Sequence, residues 1–315
     1  MNTETSVRRV TRRGRSADYP TVLAAVAVAA CVPYAVLKIA WLAGSSVGVR
    51  ADALGGGAMQ VANTLTLVME LVAAALAVAL VRPISLRIPA PLVLVPMAVG
   101  TGLLGGILVL LPIEAVLALT GLAEAPRAPD AEPLIAGWVY AVVYAGFAVL
   151  GLALLAIFVI HVERRWAGPS GWHRPLSALA GGDDRSARLS ARPLTLSAAL
   201  LAVCLAESVV NASPAAALAH PIMGVVAAAV ALTGSVMLSA RRPAGCPIWL
   251  PVVGVFTGAS AVAAWGLFFA VLFLVPNPLV GESAVPAALP WLAAARALLG
   301  TVVLVHLVRR VAPRQ

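Results

Sequence analysis

Four charged side chains stand inside otherwise apolar runs of this chain: Lys38, Glu70, Glu207 and Arg296. A charge within hydrocarbon costs roughly 2.5 to 3.5 kcal/mol on insertion scales, so each one needs a partner or a purpose. Lys38 is the only lysine in 315 residues. Tyr34, Lys38 and Trp41 share one helical face by i, i+4, i+7 spacing. Asn63, Thr66 and Glu70 share another, as do Cys204, Glu207 and Asn211. A carboxyl in an apolar pocket is discouraged from ionising, so it can hold a proton near neutral pH and act as a general acid. A nearby Lys or Arg opposes this by favouring the carboxylate. Glu70 is the better acid candidate of the two, and Glu207 the better ion-pair candidate. Tyr34, Lys38, Trp41, Asn63, Tyr140, Tyr144 and Arg296 are the residues expected to meet a substrate.

The elements that position these groups are membrane helices. Hydrophobic residues make up 61% of the chain and charged residues 11%, and the mean hydropathy is +0.98. A soluble domain is nearer 45–50% apolar and about 25% charged. The expected fold is an all-α integral membrane bundle of eight transmembrane helices. The spans fall at about 20–44, 61–82, 90–112, 134–160, 194–212, 220–240, 248–275 and 287–308. Each has the roughly 20 apolar residues needed to cross a bilayer. Span 3 is expected to end at Pro112, and the polar segment 161–193 to be a loop between residues 20–160 and 194–310. Residues 1–19 read as a disordered basic tail.

The net charge is +9, but the arginines lack the interleaved aromatics of a nucleic-acid surface. They cluster at alternate span ends: in the tail, at Arg82 and Arg87, in the 161–193 segment, at Arg241 and Arg242, and after Arg309. The opposite loops hold only Arg50 and Arg127, with Glu114, Glu124, Asp130 and Glu132 in the loop after span 3. The positive-inside rule then predicts a plasma-membrane protein with both termini cytoplasmic. In that orientation the four intramembrane charges lie in the outer half of the bilayer, roughly 7–14 Å below its surface. Two acids and two bases at one depth are expected to neutralise one another, with Glu70 the nearest partner of Lys38.

The two halves resemble each other in order. Span 3 carries Pro96, Gly100, Thr101 and Gly102, and span 7 carries Pro251, Gly254, Thr257 and Gly258. Span 4 ends His161-x-x-Arg164-Arg165 and span 8 ends His306-x-x-Arg309-Arg310. Parallel four-helix repeats would suit alternating access. Glycines at four-residue spacing (Gly102 and Gly106, Gly254 and Gly258) predict close packing of spans 3 and 7. His161 and His306 read as interface residues beside arginines. Tyr140, Tyr144 and Phe147 form one face of span 4, and Trp265, Phe268, Phe269 and Phe273 a stripe on span 7.

Several chemistries lack their residues. Asp183-Asp184 has no further acid to make a D-D-x-x-D site, and there is no P-loop, H-E-x-x-H, G-x-S-x-G or Cys/His cluster. Cys31, Cys204 and Cys246 have no metal or disulfide spacing. No cofactor is therefore expected, and the predicted partners are the lipid bilayer and a lipid or apolar small molecule.

The run Pro33-Tyr34-Ala35-Val36-Leu37-Lys38, with Trp41-Leu42-Ala43-Gly44 and Gly48, resembles a group of multi-pass proteins from high-GC bacteria. Leu86-Arg87-Ile88-Pro89-Ala90 and Pro96-Met97 through Leu104 resemble the same group, which is similar to membrane-bound terpene cyclases of the drimentine type. The resemblance implies protonation of an isoprenoid tail by a buried acid, with aromatic rings shielding the carbocation. Glu70 would be that acid, and Tyr34, Trp41, Tyr140 and Tyr144 the lining. Three other readings stand beside it. One is a transporter or permease using Lys38, Glu70, Glu207 and Arg296 as a substrate or proton site. Another is a non-catalytic membrane partner subunit. In the third the charges are structural ion pairs that set helix register.

Overall fold

The computed structural model describes residues 18–50, 56–120, 135–166, 173–179, 184–211, 219–274 and 286–311. The basic tail up to residue 17 and the acids Glu124, Asp130 and Glu132 lie outside them. Eight α-helices carry the fold: α1 (Asp18–Leu42), α2 (Gly57–Val81), α3 (Ala90–Leu119), α4 (Gly137–Trp166), α5 (Asp184–Val210), α6 (Ala219–Ala240), α7 (Trp249–Leu274) and α8 (Leu289–Val311). Every one contains an apolar stretch of 19 to 29 residues, long enough to cross a membrane. Among the described residues there is no β-strand, only two isolated bridges. Hydrocarbon offers no partner to a backbone N–H or C=O, and a helix satisfies them all internally. Leu65, Leu92, Val95 and Leu298 are each more than half exposed, as lipid-facing side chains should be.

Two expected boundaries are wrong for one reason. Helix α3 does not stop at Pro112 but continues to Leu119, with Pro96 also inside it. Helix α5 starts at Asp184, ahead of the expected 194, and runs through Pro193. Proline removes one backbone bond, a loss tolerated in membrane helices when neighbours compensate. Beyond Pro112, Ile113 and Leu117 pack with Leu110 and Met223, which reward the extra turns. The 161–193 segment is also more ordered than a loop. Helix α4 reaches Trp166, and Leu176–Ala178 form a short 3-10 helix with Leu176 fully buried. Leu176 N–H donates to the Cys246 carbonyl at 2.8 Å, and Ile248 N–H to that of Arg174 at 3.0 Å.

The chain forms two compact units. The first contains α1, α2, the start of α3 and α4 up to Val162. Here α1 packs on α2, and a loop at 43–49 closes over the end of α1. Ala136 N–H donates to the Gly48 carbonyl at 2.9 Å. Gly48 has φ +71° and lies against Trp138 and Val139, so no other residue fits there without strain. At the other end of α2, the 3-10 turn Pro83–Arg87 is held by Ser85, whose Oγ lies 3.1 Å from His161 Nδ1. His161 is 1% exposed. It is a buried structural group rather than the interface residue expected.

The second unit holds the rest of α3 and α5–α8. Its last four helices form a ring, α5 on α6, α6 on α7, α7 on α8 and α8 on α5. Small residues bring the axes together. A Cβ built on Gly102 would fall 2.8 Å from Ala264 Cβ, one on Gly106 2.7 Å from Trp265 Cδ1, and one on Gly266 2.9 Å from the Ala293 carbonyl. Gly258 approaches Ala227 and Ala231 equally closely, while Gly254 has ordinary contacts. The close packing predicted for spans 3 and 7 is therefore present. Gly102→Val should lower the thermal midpoint in detergent and cost about 1–3 kcal/mol by overpacking. Gly105→Ala, where a Cβ meets nothing within 4 Å, should leave the midpoint unchanged or slightly raised. Equal midpoints for the two variants would contradict this packing.

Candidate functional site

Polar side chains of the first unit gather between α1, α2 and α4. Lys38 is 7% exposed, and its ammonium donates to Asn63 Oδ1 at 2.7 Å. It also lies 4.8 Å from the Tyr34 ring centroid and 5.1 Å from that of Trp41. These are the three residues that share a face by spacing, closed by Asn63 from α2. Trp41 is fixed in turn, since its indole N–H donates to the Val47 carbonyl at 2.8 Å. Leu37, Trp41 and Val139 form the apolar floor beside it.

Magnitudes explain why Lys38 tolerates a neutral partner. A hydrogen bond to a charged group contributes roughly 1.5–3 kcal/mol. A cation over an aromatic face adds about 0.5–2 kcal/mol when desolvated. Their sum matches the roughly 2.5–3.5 kcal/mol cost of placing lysine in a span. No direct ion pair is required.

None forms with Glu70. Lys38 sits level with Asn63, and Cys31 sits level with Glu70, its Sγ 3.9 Å from the Glu70 carbonyl. This antiparallel register puts Glu70 two helical turns, roughly 10 Å, along α2 from the lysine's partner. The expectation of a shared depth is therefore corrected for this pair. Lys38 and Glu70 remain within electrostatic range of each other. Glu70 is 5% exposed, and neither carboxyl oxygen has a hydrogen-bond partner among the described residues. Between the two levels stands Tyr34, whose hydroxyl faces Thr66 and whose ring meets Phe147 edge-on at 5.0 Å. Tyr144 is half-buried near Tyr34. Tyr140 stacks on Tyr144 at 6.0 Å but is 45% exposed, so it reaches the cluster only from its rim.

The second unit holds the other two charges as a direct pair. Arg296 Nη1 on α8 donates to Glu207 Oε2 on α5, and both residues are buried. Cys204 lies in the electrostatic field of the pair. His220 carries no signal in the sequence, yet it stands edge-on to Trp265 and Phe269, each at 5.4 Å. It also senses the charge of Arg296. Its place one turn before Gly224 on α6, where α5 and α7 both pack, is a tertiary fact that no local spacing encodes.

Fold and buried charges together define an all-α, multi-pass integral membrane protein. Beyond that class no particular relative can be named, for no family model, curated protein or solved structure matches the chain.

Asn63→Leu should destabilise the protein by about 1.5–3 kcal/mol, because it strands a buried ammonium. Adding Lys38→Met to it should recover most of that loss. Thermal unfolding of the two variants in detergent checks this, and an Asn63→Leu midpoint equal to wild type would show that the bond contributes nothing. In the second unit, Arg296→Met alone should cost about 3–5 kcal/mol by leaving Glu207 buried and unpaired. The double replacement Glu207→Met with Arg296→Met should be closer to wild type in the same measurement.

Proposed function

We propose that the first unit is an intramembrane proton-donor site, in which Glu70 protonates an apolar isoprenoid-like substrate and so starts its cyclisation. The observation that carries this reading is the buried carboxyl of Glu70, with two oxygens that lack any hydrogen-bond donor among the described residues. An ionised carboxylate held this way would lack the hydrogen bonds that make ionisation tolerable in hydrocarbon. A neutral acid has no such requirement, and its proton is available to a substrate alkene.

The aromatic residues fit the next step. Protonation of a double bond leaves a carbocation, and electron-rich ring faces attract cations. Tyr34, Tyr144 and Phe147 stand along α1 and α4 at the levels between Lys38 and Glu70. The rings of Tyr34 and Trp41 already hold one cation, the Lys38 ammonium. That fixed charge would repel a carbocation near Asn63 and favour its development on the Glu70 side. A proton lost from a different carbon passes to the Glu70 carboxylate, which restores the acid and returns the charge to zero. The product is an isomer of the substrate with one ring in place of one double bond. No oxidant or reductant is consumed.

Glu70→Gln keeps the size of the side chain and removes the acid. Expressed at equal level, it should abolish the isomeric product expected in polyprenyl lipids from wild-type cells, resolved by liquid chromatography coupled to mass spectrometry. Product formation at the wild-type rate would sink the proposal. A permease reading is favoured by one distinct feature: the acceptor bonded to the Lys38 ammonium is a neutral amide. A neutral Glu70 would leave a net positive charge for an anionic solute to use. Purified protein in liposomes would then move a proton or an anion down an imposed gradient, and no flux under either gradient would remove this alternative. A partner-subunit role predicts instead that Lys38→Met and Glu70→Gln together leave cells unaffected.

A further inference from the structure

The guanidinium of Arg296 is only partly used. Nη1 serves Glu207, while Nε and Nη2 have no partner among the described residues, although Arg296 is 2% exposed. Those two nitrogens form the side-on edge of the guanidinium, whose parallel N–H groups match the two oxygens of a carboxylate. A buried donor left without an acceptor carries a penalty of about 1–3 kcal/mol, and more when it is charged. Two such donors on one edge call for an acceptor beyond the described residues.

Gly224 on α6 faces the guanidinium without a side chain, and a Cβ there would lie 3.6 Å from both Cζ and Nη1 and 3.7 Å from Nη2. On the next helix, Gly266 lets α7 settle against the Arg296 stem. The adjoining Trp265 also has a buried indole N–H without an acceptor among the described residues. Trp265 and Phe269 continue along α7 with their rings 5.8 Å apart, and His220 stands against both. The Trp265 nitrogen lies against Gly106 on α3, so the unmet donors beside Gly224 are those of Arg296.

We propose that the Nε/Nη2 edge of Arg296 receives the carboxylate of an amphiphilic acid whose apolar part lies along Trp265 and Phe269. The charge balance narrows the binding step. Arg296 and Glu207 together are neutral, so a second carboxylate arrives with one proton, taken by Glu207 on α5 or by His220 on α6. Cys204 is the remaining titratable group beside the pair. This site is separate from Glu70 and does not depend on the role given to that residue.

The test uses the full-length protein in dodecyl maltoside micelles with sodium octanoate, acetate, octyl phosphate and octanol as probes. Octanoate should raise the thermal midpoint saturably by several degrees, and octanol and acetate should not. Gly224→Val puts a branched side chain against the guanidinium, so it should weaken octanoate binding at least tenfold. Glu207→Gln removes the competing negative charge and should tighten it at least tenfold. Arg296→Lys keeps the charge but loses the fork, and should abolish the shift. If that variant does not fold, Gly224→Val decides the matter. Equal stabilisation by octanol and octanoate would overturn the proposal, as would octanoate binding to Gly224→Val at wild-type affinity. A preference for octyl phosphate over octanoate would overturn the carboxylate assignment.

Discussion

No water reaches the hydrocarbon core, so every polar side chain there must be solvated by the protein itself. The two units meet this constraint differently. Lys38 is solvated by an amide oxygen and two aromatic faces. Arg296 is solvated by a carboxylate. The first solution leaves a charge in place, and the second cancels it. Much of the local architecture serves these contacts. The register of α1 against α2 brings Lys38 to Asn63, the 43–49 loop fixes Trp41 through Val47, and Gly48 lets that loop lie on the start of α4.

The eight spans are legible in the sequence because a helix needs about 20 consecutive apolar residues to cross hydrocarbon, and soluble folds seldom contain such a run. Their ends are less legible. Pro112 and Pro193 carry the usual signs of a helix stop, yet both helices run through them, and beyond Pro112 the packing of Ile113 and Leu117 offsets one lost hydrogen bond. The face of Tyr34, Lys38 and Trp41 is visible from spacing alone, since all three lie on one helix. The partner of Lys38 is not. Depth counted from span ends depends on where each helix begins, and α2 begins at Gly57 rather than at 61. Four residues of helix are roughly 6 Å, enough to exchange one candidate partner for another. Asn63 itself stands out as a candidate, because a polar residue in a span is conspicuous whatever its register.

The histidines show the opposite limit. His161 and His306 both precede arginine pairs, and from sequence they are indistinguishable. One is 1% exposed and bound to Ser85. The other is near Arg192, Arg309 and Arg310 at the end of the α5–α8 ring. Their difference lies in what other helices bring to them. His220, with aromatic neighbours on α7 and a guanidinium on α8, is invisible in the sequence for the same reason.

Glu70 and Glu207 make the most instructive pair. They are the same residue type, buried to the same extent at 5% and 6% exposure. Burial alone therefore cannot distinguish them. What differs is supply. Glu207 meets a guanidinium and becomes one half of a direct ion pair. Glu70 meets no donor among the described residues, because the nearest base has been drawn two turns away by Asn63 and a pair of rings. Environments that differ in this way are how one scaffold can give two carboxyls different roles. Asn63 is then as consequential as the glutamate it serves. By holding Lys38 it keeps the ammonium from pairing directly with Glu70.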